Sequence, residues 1–145
     1  MRSYLMIGAL GVLVACSGAK QSKVKYGVTT AAQLRAAMGE PLSQQATSAQ
    51  HPSEVVIYPE DERYQIEQNI VVAGFRNPTE QERTLLYWRH HFQGKETTFS
   101  ATPSAAPSHV HKEMQLRCPS EGLTIIYDTN LDVVTRVVEH AQQGN

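Results

Sequence analysis

The connections between the apolar runs of this chain are mostly short, and that limits the sheet it can build. Parallel neighbours need a crossover of a dozen or more residues, whereas antiparallel neighbours can be joined by a tight turn. The run Val55 to Tyr58 stops at Pro59, and Pro-Glu-Asp-Glu at 59–62 makes an exposed turn. Residues 64–75 read as one strand closed by Arg76, Asn77 and Pro78. Residues 84–92 are rich in aromatic and aliphatic side chains and read as another. From 109 onward Val110, Met114, Leu116 and Cys118 alternate with His109, His111, Glu113, Gln115 and Arg117, interrupted by Lys112. Leu123 to Tyr127, a turn at Asp128 to Leu131, and Asp132 to Val138 form a final hairpin. Residues 42–53 and 94–108 are polar or rich in Ser, Thr, Ala and Pro, and read as loops. The expectation is five or six strands, mostly antiparallel, with no internal repeat.

One helix precedes them. Thr30 and Gln33 fit a capping box, in which each side chain bonds the other residue's backbone amide. Ala31, Leu34, Ala37 and Met38 recur at three- and four-residue steps and make one apolar face. Gly39 suits a left-handed cap and Pro41 forbids continuation. Leu34, Met38, Trp88, Leu116, Ile125 and Val137 are the expected core.

The N-terminus has a different character. Arg2 is followed by an uncharged apolar run of about a dozen residues and then by small residues, the parts of a secretory leader. The run falls short of the roughly 20 residues that span a bilayer. Leu13-Val14-Ala15-Cys16 resembles the lipobox of bacterial lipoproteins. That resemblance implies cleavage before Cys16, a diacylglyceryl thioether on its sulfur and acylation of the new amino group. Two or three chains make a firm membrane anchor. Ser17 in place of aspartate favours the outer membrane in a double-membrane bacterium. Residues 1–15 are therefore read as leader, 16–25 as a lipidated tether and 26–145 as a single domain.

Charge and cysteine content narrow the function. Loss of Arg2 from 13 basic residues leaves 12 against 14 acidic ones, so nucleic acid is not an expected partner. Once Cys16 is a thioether, Cys118 has no partner within the chain, and its alternation places it on the apolar side as a buried thiol. His109 and His111 share a strand face and are the only metal candidates. A zinc site needs three or four convergent ligands, so two solvent-facing histidines fit better and no cofactor is expected. His90, read on a strand face with Leu86, Trp88 and Phe92, is expected in semi-buried packing. Asp128, Asn130, Asp132 and Glu139 resemble a calcium loop, but Val133 stands where that loop needs glycine. A turn built from Asp and Asn explains the same residues. No nucleophile elbow, phosphate-binding loop or paired-histidine zinc motif is present, so no catalytic residue is expected.

Together, the lipobox, residues 26–41, the aromatic stretch Leu85 to Trp88 and the hairpin from Leu123 to Val138 resemble the SmpA/OmlA family of small outer-membrane lipoproteins. The resemblance covers about half the mature chain. It implies an α+β fold with a short N-terminal helix packed on an antiparallel sheet of three strands, to which residues 54–77 add an inserted strand pair. It also implies a non-catalytic binding or scaffold subunit in outer-membrane or envelope assembly. Such a subunit is anchored by lipid, faces the periplasm and holds an envelope protein partner. The alternative is a stand-alone periplasmic inhibitor or metal-binding module.

Overall fold

Thr30 opens helix α1 (Ala31–Met38) through the expected capping box: its hydroxyl accepts from the Gln33 amide at 3.2 Å, and Gln33 Oε1 accepts from the Thr30 amide at 2.9 Å. The computed structural model describes residues 24–47, 53–101 and 113–142. Gly39 ends the helix at φ 87°, ψ −166°, a positive φ but not the left-handed helical cap expected of it. Leu34 is fully buried against Val56, Tyr58, Tyr64, Ile66 and Val71. Met38, expected in the core, lies at its margin, half-buried against the same cluster.

Among the described residues the sheet has eight strands, not five or six. They are β1 (Ser43–Ala46), β2 (Ser53–Ile57), β3 (Arg63–Glu67), β4 (Ile70–Arg76), β5 (Thr98–Ala101), β6 (Glu113–Cys118), β7 (Leu123–Asp128) and β8 (Val133–His140). Their order is β1-β2-β3-β4-β8-β7-β6-β5, and every neighbouring pair is antiparallel. The final hairpin is β7 and β8, as expected. Its turn is held by Asp128 Oδ1, which accepts from the amides of Asn130 at 2.8 Å and Leu131 at 3.1 Å.

Three sequence readings are corrected. Residues 64–75 are not one strand: Gln68 and Asn69 take φ of 49° and 68° and fold β3 back onto β4. Positive φ at both central residues is the geometry of a two-residue hairpin turn. Residues 84–92 are not a strand but helix α2 (Leu85–His91), capped by Thr84, whose hydroxyl accepts from the Tyr87 amide. Leu85, Trp88 and Phe92 then fall on one helical face, and Trp88 and Phe92 are buried. Third, β1 and β5 arise within stretches read as loops. Both are sheet edges, exposed at every residue, so they carry no burial pattern.

Each half of the chain has the same make-up. One helix is followed by a four-stranded antiparallel meander, and the two meanders join through their last strands, β4 and β8. The strand order therefore reads alike from either edge, a repeat the sequence does not display. Residues 54–77 supply β2 to β4 of this continuous sheet, and the three-stranded sheet implied by the family resemblance is exceeded.

Cross-strand partners point to one face, so the register shows where the helices lie. Tyr64 pairs with Gly74 and Val137 with Arg76, which puts the α1 cluster and Val137 on the same side. Val137 in turn pairs with Ile125, and Ile125 with Leu116. These three pack with Trp88, Phe92 and Cys118 beneath α2. Both helices thus cover one face. Leu34, Trp88, Leu116, Ile125 and Val137 are core as expected.

Candidate functional site

Two features stand out: a polar seam on the helix side, where the halves meet, and the opposite face of the sheet. At the seam Arg76, on β4, reaches across to Glu139 on β8 at 2.9 Å. It also forms a two-pronged pair with Glu82, at 2.6 and 2.8 Å. Glu82 lies in a short 3-10 turn before α2 and accepts a further bond from the Thr79 amide at 2.8 Å. Its backbone carbonyl accepts from Trp88 Nε1 at 2.8 Å, which ties the buried indole to the same network. Tyr26 donates to Glu139 at 2.8 Å.

The electrostatics follow from these contacts. Burial opposes ionisation of Glu82, but the Arg76 guanidinium and Thr79 outweigh it and hold the carboxyl at about 2. Burial, then the adjacent Glu139 carboxylate, pushes the Tyr26 hydroxyl well above its ordinary value. The hollow bounded by Tyr26, Tyr64, Gly74, Arg76 and Glu139 has no room for a water molecule. With its charges mutually satisfied and no space for a ligand, the seam works as a clasp between the halves.

The far face of the sheet differs. One row of cross-strand partners runs over all eight strands: Ser43, Ile57, Arg63, Phe75, Val138, Thr124, Arg117 and Thr98. Val55, Ala73, Ile126 and Arg136 belong to flanking rows of the same face. Among the described residues neither helix packs over it, since α1, α2 and residues 24–26 all lie on the other side. Ile57, Phe75, Ile126 and Val138 are half-buried. His140, beside this row, bonds Thr124 at 3.0 Å, and burial pushes its pKa down.

No known protein family, curated protein or solved structure matches this chain.

The residues singled out from sequence are not gathered into one place. Cys16, His109 and His111 lie outside the described residues. His90, expected in semi-buried packing, is exposed, because the helical period turns it and Leu86 outward while Trp88 points in. His91 stacks on Tyr87 and sits 3.8 Å from Glu121, a surface contact. Cys118 is buried and free, 3.6 Å from the Ser120 hydroxyl, as its alternation predicted. Among the described residues no group of three or more His, Cys, Asp or Glu is placed to hold a metal, and no helix is long and apolar enough to cross a membrane. The Arg76 clasp escaped the sequence reading because Arg76 and Glu139 are 63 residues apart, and nothing local marks them as partners. The open face did leave a signal, the doubly apolar run Ile70 to Phe75, but reading that run as one strand with residues 64–69 hid it.

Proposed function

We propose that this chain is a lipid-anchored envelope protein that works without catalysis, by holding a protein partner against the uncovered face of its sheet. The observation that carries the reading is the one-sided layering: among the described residues both helices lie on one face of eight strands, and the other carries a half-buried apolar row with no helix over it. A contiguous apolar row left partly open to solvent is the kind of surface that interaction sites use. The leader and Cys16 support an anchor, and the eight-residue step from Cys16 to Val24 reaches at most about 29 Å when extended. The body is thereby kept near the bilayer with its sheet free to engage.

On this reading the chain is an SmpA/OmlA-type lipoprotein of the outer membrane, facing the periplasm, and an accessory subunit in envelope assembly. The helix-on-antiparallel-sheet architecture is in keeping with that. The test is intact mass spectrometry of protein from the membrane fraction. A chain that begins at Cys16 and bears acyl mass is expected, and Cys16→Ala should leave an unlipidated precursor. A soluble mature chain starting elsewhere overturns the anchor. Pull-down of the lipidated protein from detergent extract should recover barrel-assembly subunits. Recovery of none removes the assembly role.

A further inference from the structure

An antiparallel strand with one face in water ordinarily alternates apolar and polar residues, while strands covered on both faces read as continuous apolar runs. In this sheet the second pattern appears although, among the described residues, helices cover only one face. Strand β4 directs Val71 to the helix side, yet Ile70, Ala73 and Phe75 to the other. Strand β2 places Val55 and Ile57 on the open face against Val56 alone on the helix face. Strand β7 adds Ile126, and β8 adds Val138.

Two cations border this apolar band. Arg117 is exposed and Arg136 half-exposed, and among the described residues neither has a hydrogen bond or ion pair. All 14 acidic residues of the chain fall among the described residues, so residues 1–23, 48–52, 102–112 and 143–145 hold no side-chain carboxylate to offer them. The remaining arginine of the central row, Arg63, is already bonded to Asp61 at 2.8 and 2.6 Å. Both arginines are thus open to a carboxylate offered by another molecule.

We propose that the open face receives a protein segment that is apolar along its centre and acidic along the side lying over β6 to β8. Ile57, Phe75, Ile126 and Val138 take the apolar side chains, while Arg117 and Arg136 take carboxylates. The inference deepens the binding reading above and rests on it, but it does not depend on the lipid.

The full-length protein, purified in detergent with its lipid state read by mass, is titrated with two labelled synthetic peptides. Both carry alternating valine and isoleucine at one set of positions, with glutamate at the others in the first peptide and lysine in the second. Anisotropy should show the glutamate peptide binding at least tenfold more tightly than the lysine peptide. The double substitution R117E with R136E should cost at least tenfold in that affinity, and the pair R117Q with R136Q an intermediate factor. Charge reversal on the helix side, R35E, should leave affinity unchanged, and circular dichroism should report all variants folded.

Equal affinity for the two peptides, no binding to either, or insensitivity to the R117E and R136E pair overturns the proposal. So does a dimer in sedimentation that the same pair abolishes, since a second copy would then cover the face. Binding to phosphatidylglycerol vesicles that the pair abolishes, with no binding of the glutamate peptide, assigns the face to lipid instead and likewise overturns it. An unlipidated mass with the expected peptide behaviour overturns the anchor alone.

Discussion

Glu82 shows at the level of one residue how the halves are clasped and what the clasp implies for acid stability. Its carboxylate is almost wholly inside the molecule, where an unpaired charge is costly, but Arg76 grips both oxygens and Thr79 adds an amide. Its folded pKa of about 2 lies below the ordinary 4.5. The stability it contributes is therefore complete above about pH 4.5 and is lost as pH falls towards 2. A shift of this size corresponds to about 3 kcal/mol. Urea denaturation between pH 2 and 6 should show that loss in the wild type. Glu82→Gln should be less stable near neutrality and flatter with pH over the acid range. An unaltered acid slope in the variant would place the protonating group elsewhere. Trp88 makes the complementary case in the core, with its ring beneath α2 and its Nε1 bonded to the Glu82 carbonyl. Trp88→Ala should cost about 3–5 kcal/mol, read in the same denaturation experiment.

Elements differ in how they are supported, and that decides which were legible in the sequence. The helix α1 was legible because both ends are chemically specified, by Thr30 with Gln33 and by Gly39 before Pro41. The β7–β8 hairpin was legible because two β-branched runs flank an Asp-Asn turn. By contrast, α2 mixes helix-forming Leu85, Leu86 and Arg89 with Tyr87 and Trp88, which favour strands, and burial of Trp88 and Phe92 on one helical face decides for the helix. The β3–β4 turn uses Gln68 in a conformation where glycine or asparagine is usual, so only Asn69 hinted at it. The edges β1 and β5 bury nothing, so they left no periodic trace. The polar residues of β1 are also a defence, since an apolar exposed edge invites pairing with other chains. Amide hydrogen exchange should follow this gradient. The amides bonded across β4 and β8 around Phe75 and Val138 should exchange by global unfolding, whereas those of β1 and β5 should exchange orders of magnitude faster through local opening. Edge amides as slow as the seam would contradict the assigned strand order.

At the scale of the whole molecule, two helix-plus-meander halves joined at β4 and β8 make a sheet wide enough to offer a long surface opposite the helices. The seam charges close that joint, and the entering chain at Val24 and Tyr26 packs on the helix side, so neither occupies the open face. Of the site, the sequence offered Cys16 as the proposed anchor but not the surface. A surface that spans all eight strands exists only once residues 43 to 140 are brought into register, and local spacing does not encode that register. On the proposed function, contact is made through this face and not through the helices. Site-specific photocrosslinking in intact cells tests it most directly, with the reactive residue placed at Ile126 on the open face or at Arg35 on α1. A discrete protein adduct is expected from position 126 and none from position 35. Adducts from position 35 with none from 126 would contradict it.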